Sequence, residues 1–364
     1  MKNSKEFRSW LDGMNLGHPL TIAGPCSAES REQVLETARR LTGGRVTVFR
    51  AGVWKPRTKP GNFEGVGEIA LPWLMEVKKE TGLEPFIEVA TPYHVETALK
   101  HGINMMWIGA RTSANPFAVQ EIAEALKGNK EVIMLIKNPV NPDLSLWIGA
   151  VERIFRAGIT NLGVIHRGFS VYQQTPYRNK PKWQIPLNFK RTYPDIPMII
   201  DPSHICGRRD CIFEIAQMAL DLQYDGVMIE SHYNPDEAWS DANQQITPEA
   251  LHDIIKRLIV RKPEAEEDIY RNKINEFRRH IDIIDDQLLE LLSERMRVVR
   301  NIGKLKRMQN ISLLQPGRWN DILEKVVEFA EKNQMSEEFI RAVYTAIHEE
   351  SLWQQKNGKK IEED

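Results

Sequence analysis

The sequence predicts a (β/α)8 barrel followed by an all-helical tail. Three observations carry that prediction. Short, nearly continuous apolar strands alternate with helical patterns eight times across residues 20–260, the pattern of a parallel sheet covered on its outer face. Several of these strands end in residues with reactive or ligating side chains, among them Cys26, His204 and Glu230. At Arg261-Lys262-Pro263-Glu264-Ala265-Glu266-Glu267-Asp268 the alternation stops, and helical periodicity runs on to the end.

Taken in order, residues 1–19 read as a short lead-in, with no room for a folded regulatory domain. The first strand is Leu20-Thr21-Ile22-Ala23-Gly24, running into Pro25-Cys26, and the second is Thr47-Val48-Phe49-Arg50. The next four fall at 85–90, 105–110, 131–137 and 162–167. Met198-Ile199-Ile200-Asp201 is the seventh, ended by Pro202, and 226–231 is the eighth. Helical patterns occupy 74–80, 93–101, 117–126, 146–155, 211–222 and 248–259, and Ser30 with Glu32 opens another as cap and first-turn acid. The connection at 172–191 is less clearly helical. Eight such units in roughly 240 residues match a barrel's usual size. An open doubly wound sheet is the competing fold, but no glycine fingerprint follows the first strand.

The domain at 269–364 follows the charged linker 261–268. Ile274, Phe277, Ile281, Ile284, Leu288, Leu291 and Leu292 recur at three and four residues, one helical stripe. If unbroken to Met308, this helix is a rod of roughly 60 Å. A rod that long cannot cover its own apolar face and wants a partner, most simply the same helix of a second chain, giving a homodimer. The stretch 310–317 breaks it; a second helix covers 319–332, and Ser336 caps a third with Glu337 and Glu338 in its first turn.

Composition narrows the function. Net charge is -1 over 364 residues, which gives no electrostatic case for nucleic acid or membrane. There is no signal-peptide pattern and no spanning apolar run. Three cysteines make no secreted disulfide framework, Cys206 and Cys211 read as structural residues, and a reducing cytoplasmic compartment fits best.

All strand C-termini open on one face of a barrel, so Cys26, His204, Glu230 and Asp241 can converge there as a metal site. A lone cysteine at a strand end is usually a small buried hydrophobe, and a histidine beside proline can simply cap a helix. Their shared position outweighs those readings. One thiolate, one imidazole and two carboxylates do not suit a structural zinc site; they suit catalytic Mn²⁺, Fe²⁺, Co²⁺ or Zn²⁺. Six cations, Arg50, Lys55, Arg57, Arg111, Lys137 and Arg167, fall on the same face, three of them at one register of successive strands. Guanidinium and ammonium groups so placed suit phosphate and carboxylate. The residues alone therefore describe a metal-dependent enzyme acting on small phosphorylated, carboxylated molecules.

Seven motifs then carry a resemblance: Gly24-Pro25-Cys26-Ser27, Lys55-Pro56-Arg57-Thr58, Gly109-Ala110-Arg111-Thr112, Ile136-Lys137-Asn138, His166-Arg167-Gly168, Asp201-Pro202-Ser203-His204 and Ile229-Glu230-Ser231-His232. Residues 20–260 resemble the 3-deoxy-D-arabino-heptulosonate 7-phosphate (DAHP) synthases of the smaller subclass related to the 3-deoxy-octulosonate 8-phosphate synthases. The resemblance implies condensation of phosphoenolpyruvate with erythrose 4-phosphate, the first step of aromatic biosynthesis. It implies Cys26, His204, Glu230 and Asp241 as ligands of a divalent metal, Mn²⁺ first. Arg50, Arg111, Lys137 and Arg167 would hold phosphoenolpyruvate, with Lys137 also a candidate proton donor; Lys55, Arg57 and Thr58 would hold the sugar phosphate. The Lys-Pro-Arg-Thr motif separates this reading from the octulosonate alternative.

In the tail, Arg278-Arg279-His280-Ile281-Asp282, Leu291-Leu292-Ser293-Glu294-Arg295, Gly303-Lys304-Leu305-Lys306, Arg318 and Ser351-Leu352-Trp353-Gln354-Gln355 resemble the all-helical chorismate mutases over about 270–357. A solvated coiled-coil face is the reading for a generic helix. The resemblance implies rearrangement of chorismate to prephenate in sites shared by two chains. Arg295 and Lys306, with Arg278 of the second chain, would clamp the carboxylates; Lys306 and Gln355 would meet the ether oxygen; Ser351 and Arg318 would support the substrate. The family pattern expects an acid after Arg318 and often one three residues before it, where this chain has Trp319 and Gln315. That departure predicts a mutase slower than stand-alone members, or one that needs the barrel docked against it. The alternative for the tail is a dimerisation and sensing module for chorismate or prephenate, through which prephenate restrains the barrel.

Overall fold

Every strand expected from the apolar runs forms, and the eight close into a parallel barrel in the order β1 to β8. The structure is a computed structural model that describes residues 9–13, 19–55, 61, 63–172, 175–264 and 267–357. The strands are β1 (Leu20–Gly24), β2 (Val48–Arg50), β3 (Glu84–Val89), β4 (Met105–Ile108), β5 (Ile133–Lys137), β6 (Leu162–His166), β7 (Met198–Ile200) and β8 (Gly226–Glu230). The helices of this part are α1 (Ser9–Gly13), α2 (Arg31–Leu41), α3 (Leu71–Thr81), α4 (Pro92–Lys100), α5 (Ala110–Ser113), α6 (Pro116–Leu126), α7 (Leu144–Arg156), α8 (Gln184–Thr192), α9 (Pro202–Cys206), α10 (Ile212–Asp221) and α11 (Pro248–Arg257).

The two faces of each strand do different work, as period-2 side chains must. Leu20, Ile22, Val48, Phe86, Met105, Trp107, Leu135, Ile165, Ile199 and Met228 fill the barrel interior. Ala23, Phe49, Ile87, Met106, Met134, Ile136 and Val164 pack outward against the helices. The helix starts are chemically specified. The Ser30 side chain accepts from the Gln33 N–H at α2, and Asp143 and Thr247 do the same for α7 and α11.

Three features add to the sequence reading. The lead-in is more than a leader: Trp10 and Leu11 join the interior cluster, and Trp10 Nε1 donates to Leu162 O at 2.9 Å, beside the N-terminal end of β6. Among the described residues, the connection after β6 holds one helix, α8, and Phe169 bridges Lys180 ahead of it. Cys206 and Cys211 are joined in a disulfide across a short loop. The bonded pair removes one argument for a reducing compartment. Among the described residues, no helix is long and apolar enough to cross a membrane.

The chain divides into two compact units, 1–263 and 264–364. The second is α12 (Asp268–Met308), α13 (Pro316–Lys332) and α14 (Glu337–Asn357). Pro316 stands in the first turn of α13, where a missing N–H costs nothing, and Ser336 Oγ accepts from the Phe339 N–H to cap α14. Its interior is small, centred on Val326, Ala330 and Ile340. Ile269, Ile274, Phe277, Ile281, Ile284, Leu288 and Leu291 on α12 are exposed. The helix runs unbroken through Gly303, whose place is explained by contact: a Cβ there would lie 2.8 Å from both Cα and O of Gln355 on α14. Alanine is the better helix former by about 1 kcal/mol, but a backbone overlap of this kind costs about 1–3 kcal/mol. Gly303→Ala should therefore destabilise the tail and lower mutase activity, read by thermal unfolding; a stabilised variant would show that α12 and α14 do not pack this closely.

Candidate functional site

Closure between β1 and β8 builds the first site. Their register sets Gly24 beside Glu230. Gly24, at φ +142, turns the chain where any Cβ would run into the Arg50 carbonyl, and so delivers Cys26 to the rim. The ligand atoms of Cys26, Glu230 and Asp241 lie within 4.8 Å of one another. Asp241 sits at φ +49 in the loop after β8, and its Oδ2 accepts from Cys26 Sγ at 3.3 Å. His204 is on α9, just past β7, and is not within that tight set; its Nδ1 stands 2.9 Å from Asp201 and 3.9 Å from Glu230 Oε1. With Nδ1–H held by Asp201, the Nε2 lone pair is the one left for a ligand.

The donor set fits a divalent cation. Glu230 is fully buried and its Oε1 has no hydrogen-bond partner, while Oε2 accepts from Gln244 Nε2 at 2.6 Å. Burial pushes the Cys26 thiol up to about 12, Glu230 adding to it and Lys55 opposing. Ligation by Cys26 therefore releases a proton, and a cation is what makes that favourable. Burial works to raise the Asp241 carboxyl, yet Arg178, His204 and Lys55 hold it below the usual carboxylate range.

The cations gather around this set. Arg50 ends β2, buried, with NH1 3.2 Å from Glu230 Oε1 and NH2 donating to Cys26 O at 3.1 Å. Lys55 Nζ reaches Cys26 Sγ at 3.0 Å. Lys137 ends β5 and pairs with buried Asp201 at 2.7 Å. Despite burial, His204 first and then Lys137 hold Asp201 well below its ordinary range, while burial pushes the His204 imidazole itself down. Arg167 is oriented by Asn179 Oδ1 at 2.6 Å, and its backbone N–H donates to Asn138 Oδ1. Its guanidinium is lowered to about 10, by burial first and then by neighbouring Arg178 and Arg111. Arg111, in α5, is exposed. Arg57 and Thr58 lie outside the described residues.

Sequence reasoning missed Asp201 as the shared partner of Lys137 and His204, although it stands in the Asp-Pro-Ser-His motif. It also missed Arg178, whose NH1 donates to Asp241 Oδ1 at 3.0 Å and Gln244 Oε1 at 2.6 Å, and Gln245, whose Oε1 accepts from the Cys26 N–H at 2.9 Å. These lie on irregular loops, where no periodicity marks a residue as inward-facing.

In the second unit, Arg295 on α12 donates to Ser351 Oγ on α14 at 2.6 Å, and Lys306 to Leu313 O at 2.6 Å. Gln355 is buried with Oε1 unpartnered. Gln315 stands at the N-cap position of α13 without a side-chain capping bond, and Arg318 follows in the first turn, both exposed. Trp319 stacks on His348, centroids 4.1 Å apart. Arg278 is exposed, about 25 Å along α12 from Arg295, so one chain does not bring those two together.

Comparison with known proteins fits this geometry. Residues 12–262 match the DAHP synthetase I family. The chain belongs to that family. Residues 277–356 match chorismate mutase type II. A phospho-2-dehydro-3-deoxyheptonate aldolase of Thermotoga maritima is 29% identical over 242 residues, 66% of this chain and 69% of that protein. A 2-dehydro-3-deoxyphosphooctonate aldolase of Vesicomyosocius okutanii subsp. Calyptogena okutanii is 26% identical over 278 residues, 67% of this chain and 91% of that one. The crystal structure of the Thermotoga maritima DAHP synthase superposes with a TM-score of 0.59 at 27% identity, over 65% of this chain and 67% of that chain. The chain is a bifunctional enzyme, a DAHP synthase joined to a chorismate mutase, and the octulosonate alternative is the weaker one.

Changes in the shell around a metal cost about 10–100-fold in affinity, and loss of a ligand should cost at least that. Cys26→Ala should accordingly lose bound metal and metal-dependent turnover, read by metal analysis and activity. Normal metal content would remove Cys26 from the ligands.

Proposed function

We propose that Cys26, His204, Glu230 and Asp241 hold the divalent metal, Mn²⁺ first among the candidates, and that Arg50, Arg111, Lys137 and Arg167 hold phosphoenolpyruvate. Lys55, with Arg57 and Thr58, receives the sugar phosphate. The observation that carries this reading is the meeting of Cys26, Glu230 and Asp241 within 4.8 Å beneath a ring of cations. When bound, the metal supplies Lewis-acid polarisation of the aldehyde oxygen of erythrose 4-phosphate. The enol carbon of phosphoenolpyruvate forms the new bond to the aldehyde carbon. Water adds at the neighbouring carbon, and phosphate leaves from it. Arg111, Lys137 and Arg167 offset the charge that grows on the phosphate. Lys137, paired with Asp201, is the proton donor to the aldehyde oxygen. A cytoplasmic location suits these small phosphorylated substrates.

In the tail, Arg295 and Lys306 clamp the carboxylates of chorismate together with Arg278 of a second chain, and Lys306 and Gln355 meet the ether oxygen as it breaks. Ser351, Gln315 and Arg318 line the remaining polar side. The exposed stripe on α12 and the distance from Arg278 to Arg295 both favour a homodimer through these helices. The rearrangement is unimolecular, so positioning and charge stabilisation suffice. Prephenate held in the tail then restrains the barrel, which requires that it bind two states of the enzyme with different affinity.

The two activities should separate cleanly. Lys137→Ala should lower synthase kcat by about 10²–10³ and leave the mutase intact. Arg295→Ala should do the reverse and abolish inhibition of the synthase by prephenate. Inhibition that survives Arg295→Ala would remove the tail as the sensor, and a Lys137→Ala enzyme of normal rate would remove that lysine from the chemistry.

A further inference from the structure

Two of the cations assigned above to phosphoenolpyruvate share a neighbour that the mechanism leaves unused. Trp107 lies on β4 in the interior of the barrel, fully buried. Arg50 Cζ stands 5.0 Å from the centre of its ring and Lys137 Nζ 5.6 Å. Phe86 packs against it, centroids 4.6 Å apart. Its Nε1 is buried and has no hydrogen-bond partner. The other members of the interior apolar cluster are aliphatic, methionine or phenylalanine apart from Trp10, whose indole N–H does find a carbonyl. An unpartnered indole N–H carries a desolvation cost that phenylalanine or leucine would avoid. Something else must favour tryptophan at this position.

The charges around it supply that gain. Arg50 and Lys137 are almost wholly buried, and each faces a carboxylate, Glu230 at 3.2 Å and Asp201 at 2.7 Å. A buried cation needs stabilisation, but one neutralised entirely by its carboxylate has little left to offer an anionic substrate. An indole face meets both demands. It attracts the cation through its quadrupole, most strongly where water is excluded, and adds no negative charge. One ring serving two cations also fixes their spacing, which is what a ligand with a carboxylate and a phosphate reads.

We propose that Trp107 is a positioning residue of the phosphoenolpyruvate site, its ring holding Arg50 and Lys137 at a fixed separation while leaving their charge for the substrate. The proposal rests on the assignment of those two cations to phosphoenolpyruvate. It gives Trp107 no contact with the sugar phosphate, so its effect is confined to one substrate.

The test compares Trp107→Leu, Trp107→Phe and a site-specific series of fluorinated tryptophans at 107 in the full-length enzyme with Mn²⁺. Fluorination weakens the ring's hold on a cation and hardly alters its shape, so the series decides even where Trp107→Leu fails to fold. KM for phosphoenolpyruvate should rise about tenfold in Trp107→Leu, less in Trp107→Phe, and stepwise with fluorine number. KM for erythrose 4-phosphate should stay within about twofold. A flat fluorine series, or an equal rise for both substrates, would overturn the proposal. Lys137→Ala and Arg50→Ala run alongside. If they too leave KM for phosphoenolpyruvate unchanged, the cation assignment itself fails; if they raise it and the Trp107 set does not, only the role of Trp107 falls.

Discussion

Closure of the parallel sheet between β1 and β8 is the constraint on which the synthase site depends. Residues 26 and 230 are far apart in the chain, and only the pairing of Gly24 with Glu230 brings them to one rim. Because every strand runs the same way, the ends of β2, β5, β6 and β7 arrive at that rim as well, each with a charged residue at or just past its last position. A one-residue slip in any strand would turn its terminal side chain from the site to the opposite face. The alternating interior and exterior packing resists such slips at every position.

The price of this convergence is buried charge, and the site is organised to contain it. Acids and cations alternate: Arg50 faces Glu230, Lys137 faces Asp201, Arg178 faces Asp241 and Lys55 faces Cys26. Breaking the Arg50–Glu230 or the Lys137–Asp201 pair would leave an uncompensated buried charge. On the proposed ligand set the same network changes when metal enters, since Cys26 then loses its proton and Lys55 gives way. The tail works with less. Its rods contribute Arg295, Lys306, Ser351 and Gln355 from two facing helices and leave most of the α12 stripe in solvent, so its thin interior is the weaker part of the design.

Much of this was legible in the sequence, for identifiable reasons. Apolar runs bounded by Gly, Pro and charged residues marked all eight strands, because a strand buried on both faces has no room for polar side chains. Cys26, His204 and Glu230 were visible because they stand at strand ends, where topology alone aims them. Trp10 was not, since a lone tryptophan in a charged leader has no periodic company. Arg178 lies in a loop and Gln244 in a single 3-10 turn, and both owe their positions to tertiary contacts; Asp201 read as the end of the seventh strand, and in the structure it also caps α9. The Cys206–Cys211 bond escaped a count of cysteines, because three in a long chain do not describe a framework.

The most direct test of the central claim is phosphoenolpyruvate consumption by the full-length enzyme with erythrose 4-phosphate against arabinose 5-phosphate, first with Mn²⁺ and then after chelation. A metal-dependent synthase of this family consumes phosphoenolpyruvate with erythrose 4-phosphate far faster than with arabinose 5-phosphate and stops when metal is removed, while rearrangement of chorismate continues. Preference for arabinose 5-phosphate, or undiminished turnover in the metal-free enzyme, would contradict the assignment of the barrel.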